Sequence, residues 1–356
     1  MSVVGPVYFD LVFSGFSGAP GSGREVRTTG LASSPGGTAN VGVALARLGL
    51  HVELTSVFAT DAFGRYLWST LEQEGIDLSQ SHRCAGWTTP VTVSMAYDAD
   101  RSLVTYESIA PVGQDELLRT VADSQAVIIG LGTCSAPQLR ALRNEGPLVV
   151  ADVCWDPTET WAPSLLDNLA LVDLFLPNAV EAMAYTGAGD PSTALDLLSE
   201  RTSGTVVVKD GSRGAYASQH GVFAYAPAIE VEALDPTGAG DVFDAAFVYA
   251  TLSEWSLTER LQFANLCAGL SVQRHGGSLA APCWEEVRTY CDRARPAKHW
   301  DFLGPTLERE PSRRPCTRAC PTFSLLPGDG LGSLDPGELR KGSLDVVSAG
   351  SERSKQ

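Results

Sequence analysis

The sequence predicts an α/β fold with three layers, in which a mostly parallel central sheet is covered by helices, together with a small β-sheet lid. Segments typical of strands and of helices alternate along most of the chain, as they do when helices connect parallel strands. Apolar strands such as AVIIGLG, residues 126–132, fit a sheet that is buried on both faces. In residues 89–108, apolar and polar residues alternate on either side of a DADR turn, which predicts a hairpin with one covered face.

The first part of the chain supplies the strands and helices that precede this hairpin. An apolar strand is predicted at 3–13 and is followed by a stretch rich in Gly and Ser at 14–26. Apolar residues then recur at intervals of three and four in 35–50, which predicts an amphipathic helix opened by a pair of glycines. A strand at 51–59 and a helix at 64–76 lead into the hairpin.

Strands and helices alternate again after the hairpin. The predicted strands are 126–132, 147–153, 171–177 and 205–211, with a further β stretch at 215–226. The predicted helices are 136–144, 162–170, 179–187, 193–200, 242–252 and 257–276. From about residue 296 the chain is rich in Pro, Gly, Ser and Arg and has no sustained period. We therefore expect one domain over 1–295 and a disordered tail over 296–356.

Composition and charge exclude several classes of function. The 356-residue chain has a net charge of −16, which argues against a nucleic-acid partner because such binding needs clustered Lys and Arg. No apolar run reaches the roughly 20 residues of a membrane helix, and no signal peptide is indicated. The eight cysteines show no zinc-type spacing, and most lie in apolar runs that favour buried, reduced thiols. A cytoplasmic location is the default expectation.

The string DPTGAGD, residues 235–241, precedes an apolar helix and predicts an anion site. A helix N-terminus has unpaired N–H groups and a partial positive charge, and glycines let the backbone approach a phosphate closely. Asp241 is either a favourable acid in the first helical turn or a base that accepts the proton of an attacking hydroxyl. The string alone does not decide between these two roles.

Two further strings favour the chemical role. PGGTAN, residues 35–40, places another pair of glycines before a helix, and the Asn40 amide can donate and accept hydrogen bonds to a polyol. LPNAVEA, residues 176–182, places Asn178 and Glu181 after an apolar strand, at the edge where open α/β sheets bind ligands. These two residues could orient water around Mg²⁺. The alternative is a helix cap formed by Asn178 with Glu181.

Together these strings, in this order, resemble the signatures of the PfkB carbohydrate kinase family, which has the ribokinase-like fold. The resemblance covers about residues 3–290. GGTANVGVALARLG and DPTGAGDVFDAAFVYATL are similar to the two family signatures, LPNAVEA to its NxxE motif, and ANLCAGLSVQRHGG to its adenine-side helix. The family fold implies that the stretches 12–32 and 89–108 form a lid, and family members often pair their lids as homodimers.

The resemblance implies a role for individual residues. Asp241 matches the catalytic base, and the backbone N–H groups of Gly238, Ala239 and Gly240 match the anion hole for the transferred phosphoryl group. The positions that hold sugar hydroxyls are Asp10, Gly36, Gly37 and Asn40. The positions near ATP are Asn178, Glu181, Lys209, Gly211, Gly214 and Asn265, with Glu181 reaching Mg²⁺ through water. The positions that hold K⁺ in some members are Asp235, Thr237, Ser271, Arg274 and Gly276.

Several residues depart from the family pattern, and one of these departures narrows the range of expected substrates. Pro236 stands where the family usually has Thr, but it precedes the anion-hole donors. The segment DVCWD, residues 152–156, lacks the arginine of a common family string, which argues against a phosphorylated sugar. Ala280 replaces a frequent serine near the K⁺ position. Glu107 on the lid hairpin could contact substrate or could be an ordinary exposed acid.

The resemblance therefore implies an enzyme that uses ATP and Mg²⁺, and in some members K⁺, to phosphorylate a hydroxyl of a small unphosphorylated sugar. A nucleoside kinase is the alternative within the same chemistry. A catalytically silent sugar-binding protein is the alternative from another class. Intact Asp241 beside an intact glycine loop favours the enzyme.

Overall fold

The computed structural model describes residues 1–309 apart from 19, 98–99, 120, 122–123, 157 and 294–297. The strands are β1 Ser2–Val4, β2 Val7–Ser14, β3 Gly30–Gly37, β4 Glu53–Thr55, β5 Val57–Ala59, β6 His82–Cys84, β7 Val91–Tyr97, β8 Asp100–Tyr106, β9 Ala126–Gly130, β10 Leu148–Asp152, β11 Leu174–Phe175, β12 Thr205–Lys209, β13 Ala215–Gln219 and β14 Val222–Ala226. The α-helices are α1 Thr38–Arg47, α2 Ala62–Gln73, α3 Gln114–Leu118, α4 Ala136–Glu145, α5 Ala179–Thr186, α6 Pro191–Ser199, α7 Ala239–Leu252, α8 Leu257–Ser271, α9 Trp284–Arg293 and α10 Gly304–Arg309. Short 3₁₀ segments lie at Leu131–Thr133, Pro163–Leu171, Gly211–Arg213, Gly277–Ala280 and Lys298–Leu303.

An eight-stranded sheet in the order β14-β13-β12-β11-β10-β9-β1-β4 forms the centre of the fold. The six strands from β12 to β4 are mutually parallel, and β13 and β14 are antiparallel additions at one edge. Consecutive residues of β9, such as Ile128 and Ile129, point to opposite faces and are both buried, so the strand is covered on both faces. This sheet and its helices confirm the predicted class. The carboxyl ends of β10 and β12 lie at one edge, where Asp152 and Lys209 end their strands.

A separate four-stranded sheet, in the order β3-β2-β7-β8, confirms the predicted lid as a second sheet. β2 pairs antiparallel with β3 and parallel with β7, and β7 forms the predicted hairpin with β8. The lid strands lie at 7–14 and 30–37 rather than over the whole predicted stretch 12–32. The turn residues 98–99 of the hairpin lie outside the described residues.

The predicted first strand, 3–13, is wrong as a single element. It is two strands in two sheets: β1 lies in the large sheet, and β2 lies in the small one. Gly5 and Pro6 separate them, and Pro6 has no N–H to contribute to a strand ladder. Both strands are buried, so the sequence is apolar on either side of Gly5 and Pro6. Hydrophobicity alone could therefore not reveal the break between the two strands.

Ordered structure continues past the domain boundary that was predicted at residue 295. Lys298–Leu303 and Gly304–Arg309 are helical, and the predicted tail contains no periodic pattern long enough to reveal such short segments. Trp300 and Leu303 are buried, and the Phe302 ring packs edge-on against Trp255. The remainder of the predicted tail, 310–356, lies outside the described residues.

Two other properties of the described residues bear on the expectations above. Cys134, Cys267 and Cys291 are buried free thiols, as predicted, whereas the free thiols Cys84 and Cys154 are half-buried and exposed. Cys283 is disulfide-bonded and departs from the prediction of reduced thiols. Within 1–309, apart from the gaps named above, no helix has both the length and the apolar character that crossing a membrane requires.

Candidate active site

Helix α7 begins at the glycine loop, as predicted. Gly238 caps the helix with φ 75°, a left-handed conformation that favours glycine, and its Cβ position lies 3.3 Å from Cγ of Asn40. The N–H groups of the first turn have no acceptor within the helix. That of Ala239 instead donates to the Pro236 carbonyl at 3.2 Å, so this predicted anion-hole donor is engaged in the turn.

Asp241 and Asn40, which belong to two separate sequence motifs, are in contact. Nδ2 of Asn40 donates to Oδ2 of Asp241 at 2.9 Å, although 201 positions separate them in the chain. Asn40 lies in the first turn of α1 and is buried, and its Oδ1 has no hydrogen-bond partner among the described residues. An oriented carboxylate and a buried amide acceptor therefore meet where the N-termini of α1 and α7 approach each other.

Asp10 lies on β2 opposite Ser34 of β3, and its carboxylate is beside the first glycine of the pair. A Cβ at Gly36 would come within 2.0 Å of Oδ2 of Asp10. Gly37 has φ 62°, and a Cβ there would lie 2.5 Å from the Pro6 carbonyl. Both positions therefore require glycine, one to leave room for the Asp10 carboxylate and the other for the backbone turn into α1. The structure places Asp10 and both glycines of the predicted sugar site side by side.

Lys209 lies beneath the glycine loop, in an ion-pair network that the sequence did not reveal. Nζ contacts Oδ2 of Asp152 and both carboxylate oxygens of Asp244, each at 2.9 Å. A Cβ at Gly240 would lie 3.6 Å from Nζ, so the ammonium is adjacent to the start of α7. Burial alone would lower the pKa of Lys209, but the two carboxylates outweigh it and raise the pKa, which keeps the side chain charged.

Asn178 and Glu181 form the helix cap that was the alternative to a metal site. Oδ1 of Asn178 accepts from the Glu181 N–H at 3.0 Å, and Oε2 of Glu181 accepts from the Asn178 N–H at 3.1 Å. Burial, followed by the charge of Asp152, raises the pKa of Glu181 to about 8, while Lys209 opposes the shift. The carboxyl of this cap therefore has its ionised form disfavoured by burial and by the nearby charge of Asp152.

The Cys154 thiol lies near the carboxylates of this cleft. Desolvation raises the pKa of its thiol to about 12, and the charges of Asp152, Asp241 and Glu181 add to the shift. The thiol therefore lies within electrostatic reach of both the α7 and the α5 carboxylates. Cys154 belongs to the string DVCWD, but nothing in that string indicated that its thiol would lie near Asp241.

The residues predicted to lie near the nucleotide are held by protein contacts at the β12–β14 edge. Nδ2 of Asn265 donates to the carbonyls of Ala226 at 2.9 Å and Pro227 at 3.2 Å. Gly214 has φ 100°, and a Cβ there would lie 2.1 Å from the Ala226 carbonyl. Gly211, with φ 56°, turns the chain after Lys209. Asn265 and Gly214 thus shape this edge through their contacts with the backbone of Ala226 and Pro227.

Of the residues predicted to hold K⁺, Asp235, Thr237 and Gly276 are joined by hydrogen bonds. The Asp235 carboxylate accepts from the N–H groups of Thr237 at 2.9 Å and Gly276 at 3.1 Å. Oγ of Ser271 donates to the Ala268 carbonyl at 2.8 Å, and Arg274 pairs with Glu286 and donates to the Ala280 carbonyl. The side chains of Ser271 and Arg274 are therefore used elsewhere. Among the described residues, no group of three or more His, Cys, Asp or Glu side chains forms a metal site.

Comparisons with known proteins identify the family of this chain. The model of the pfkB family of carbohydrate kinases matches residues 7–283. A ribokinase from Haemophilus influenzae is 29% identical over 271 residues, covering 72% of this chain and 86% of the relative. An aminoimidazole riboside kinase from Salmonella typhimurium is 28% identical over 286 residues, covering 72% and 87%.

Solved structures show the same fold. A protein designated ribokinase II from E. coli, in complex with ATP and Mg²⁺, superposes with a TM-score of 0.71 at 21% identity and covers 82% of this chain and 98% of its own. Ribokinase from Arabidopsis thaliana, in complex with ribose and ATP, gives 0.65 at 24% identity and covers 81% and 97%.

Proposed function

Because this chain belongs to the pfkB family of carbohydrate kinases, we propose that it transfers the γ-phosphoryl group of ATP to a hydroxyl of a small unphosphorylated sugar. The contact between Asn40 and Asp241 at the start of α7 carries this proposal. It places a candidate base at the helix end whose N–H groups can stabilise a developing negative charge. The relatives named ribokinase, fructokinase and aminoimidazole riboside kinase support a sugar or nucleoside as the acceptor.

Asp241 is the proposed base of the reaction. It accepts the proton of the acceptor hydroxyl as that hydroxyl attacks the γ-phosphorus in line. The N–H groups of Gly238 and Gly240, with the α7 dipole, stabilise the charge on the transferred group, whereas Ala239 must release Pro236 to take part. Asp10 and Asn40, with the backbone of Gly36 and Gly37, bind the remaining hydroxyls. Asn40 also orients Asp241 through its amide.

The cleft around Glu181 fits a divalent cation. Burial and, after it, the charge of Asp152 raise the pKa of Glu181, and a bound cation would favour the ionised carboxylate. Mg²⁺ in proteins is commonly held by one or two carboxylates together with substrate phosphates, and when bound it neutralises the phosphate charge. Asn178 and Glu181 would hold it through water, and Lys209, Gly211, Gly214 and Asn265 border the nucleotide.

Activation by K⁺ is a separate proposal, and it involves fewer side chains than the family pattern implies. Asp235, Thr237 and Gly276 are joined by hydrogen bonds and could present oxygen atoms to a monovalent cation. Ser271 and Arg274 could contribute only through their carbonyl oxygens, because their side chains bond elsewhere.

We also propose that the protein forms a homodimer through the lid. The edge strand β8 exposes Leu103, Val104 and Tyr106, and Leu31 on β3 is exposed as well. An unpaired edge strand with exposed apolar side chains is an association surface that monomers usually avoid.

A panel of acceptors tests the proposed function. ADP release would be measured with ATP and Mg²⁺ against ribose, fructose, adenosine and a phosphorylated sugar such as ribose 5-phosphate. We expect turnover with at least one unphosphorylated acceptor and none with the phosphorylated sugar, because Asp156 stands where an arginine would be needed. Binding of sugar without turnover on any acceptor would instead support a silent binding protein.

A further inference from the structure

Three aromatic rings form a cluster on the loop that follows β10. Trp155 and Trp161 belong to this loop, and Tyr185 belongs to α5. The rings of Trp155 and Trp161 meet edge to face, with centroids 5.0 Å apart and an interplanar angle of 88°. Those of Trp161 and Tyr185 meet in the same way, at 5.1 Å and 86°. The cluster is therefore continuous and joins the loop to the helix.

The cluster adjoins the cleft that contains the candidate active site. Trp155 directly follows Cys154, whose thiol lies near the carboxylates of the cleft. Tyr185 comes four positions after Glu181 on α5, so these two side chains share one face of the helix. The kinase mechanism proposed above uses none of the three rings, and their arrangement therefore needs an explanation of its own.

The loop holds the central ring in a strained backbone conformation. Trp161 has φ 45° and Glu159 has φ 53°, both in the left-handed region that favours glycine. Residues other than glycine are destabilising in this region, and they persist where the surrounding structure fixes them, often at functional sites. The surroundings of Trp161 therefore fix its position against an unfavourable backbone energy.

Asp156 fixes the loop and supplies its charge. Its Oδ1 accepts from the N–H and the hydroxyl of Thr158 at 2.9 and 2.6 Å. Its Oδ2 accepts from the hydroxyl of Thr160 at 3.1 Å and from the N–H of Trp161 at 2.8 Å. These bonds, first of all those from Thr158, lower the pKa of Asp156 to about 2, so the carboxylate is charged at neutral pH.

The same four bonds determine which kind of cation suits the cluster. A carboxylate has about four lone-pair sites, and the loop occupies that number at Asp156. Asp156 can therefore attract a cation by its charge, but it has no site left for a further hydrogen bond. A cation with N–H groups would give up hydrogen bonds to water and receive none from Asp156. A quaternary ammonium group has no N–H and avoids this loss.

The open aromatic surface and the local charge both favour a cation. Trp155 is 55% exposed, and the face of an aromatic ring carries the negative part of its quadrupole. Tryptophan binds cations over its face more strongly than the other aromatic residues do. The loop residues 153–163 include the acids Asp156 and Glu159 and contain no Lys or Arg. The loop itself therefore provides no cation to cover the rings.

We propose that Trp155, Trp161, Tyr185 and Asp156 form a binding site for a quaternary ammonium group, carried by a small choline-like molecule. The ring faces provide cation–π contacts, and the Asp156 carboxylate provides the opposite charge. The site adjoins the cleft but takes no part in phosphoryl transfer. This inference therefore goes beyond the proposed kinase function and does not depend on it.

Calorimetric titration of the wild type with choline and with its uncharged isostere dimethylbutanol tests the site. The isostere has the same shape, but carbon replaces the charged nitrogen. We expect choline to bind at least about tenfold more tightly, because the isostere has no charge to attract the rings and the carboxylate. Equal affinities, or no saturable binding of choline up to about 10 mM, would overturn the proposal.

Methylguanidinium tests the kind of cation in the same titration. It carries one positive charge, as choline does, but it also carries N–H groups that need hydrogen-bond acceptors. We expect it to bind more weakly than choline, because the lone pairs of Asp156 are occupied. Tighter binding of methylguanidinium would overturn the assignment to a quaternary ammonium group.

Substitution of Trp155 locates the binding. Trp155→Leu should weaken choline binding by about fivefold or more, whereas Trp155→Phe keeps an aromatic face and should lose less affinity. The matched control is Phe223→Leu, which removes a 54% exposed ring on β14 outside the cluster and should leave the affinity unchanged. A wild-type affinity for choline in Trp155→Leu would refute the site. These titrations need neither ATP nor a sugar, so their outcome is independent of the kinase proposal.

Discussion

Lys209 is the cation that neutralises the carboxylates of Asp152 and Asp244 in the cleft. Its ammonium contacts Asp152 and Asp244, and Asp244 is nearly inaccessible to solvent. We expect Lys209→Met to lower the free energy of unfolding by about 3 kcal/mol, because it leaves a buried carboxylate without its partner. Urea denaturation at pH 7 measures this. A loss of less than about 1 kcal/mol would contradict the assigned network.

Arg27→Met is the matched control for this substitution. Arg27 pairs with Glu25, and the two side chains are 88% and 80% exposed, so the removal of Arg27 should lower the free energy of unfolding by about 1 kcal/mol or less.

The sequence identified some residues of the cleft and could not identify others. Asp241 and Asn40 were predictable because each follows glycines at the start of a helix. Asp152 and Asp244 were not, because they pair with Lys209 across 57 and 35 positions of chain, and no local pattern records such a pairing. Asn178 and Glu181 fitted both a cap and a metal site, and the structure shows that the cap is formed.

At the scale of elements, Asp61 joins helix α2 to the strand that starts the lid hairpin. Its carboxylate caps α2 by accepting from the Gly64 N–H at 2.8 Å, and it also accepts from the N–H and hydroxyl of Thr89 at 2.9 and 2.6 Å. Burial alone would raise the pKa of Asp61, but these bonds outweigh it and hold the pKa below its ordinary value. The ionised cap therefore stabilises the fold at neutral pH.

We expect Asp61→Ala to lower the free energy of unfolding by about 1–2 kcal/mol at pH 7. Since the folded pKa is depressed, the stabilisation is present above the unfolded value near 4 and is lost as the pH falls through the folded value. Urea denaturation at pH 7 and at pH 3 should therefore show a smaller difference between wild type and variant at the lower pH. A difference that grows on acidification would contradict the assignment.

The elements themselves were largely predictable because their hydrophobic periods are strong, as in α1 and β12. The boundary between β1 and β2 was not, since both strands are buried and the break consists of two residues. The short helix α3 has no full amphipathic period, and α9 lay in a stretch for which no helix was predicted.

At the scale of the whole molecule, the proposed lid dimer makes a prediction about assembly. Leu103 and Val104 on β8 are 53% and 59% exposed. We expect the wild type to sediment as a dimer and Leu103→Asp to sediment as a monomer, because a charge placed in an apolar interface would have to be buried without a partner. Analytical ultracentrifugation measures both.

Val222→Asp is the matched control, since Val222 is 61% exposed on the opposite edge strand β14 of the large sheet. It should leave the dimer intact. A wild type that is monomeric at all accessible concentrations would contradict the lid interface.

The role of Asp241 as the base is the centre of this account, and turnover by Asp241→Asn tests it most directly. With the acceptor that the wild type uses best, we expect kcat for ADP release to fall by about 10²–10⁴-fold, since a positioned base contributes that much. Acceptor affinity measured by calorimetry should change little, because the amide keeps the shape of the carboxylate, and Asp196→Asn on the exposed face of α6 should match the wild type. A kcat for Asp241→Asn within about threefold of wild type would contradict the assignment of Asp241 as the base.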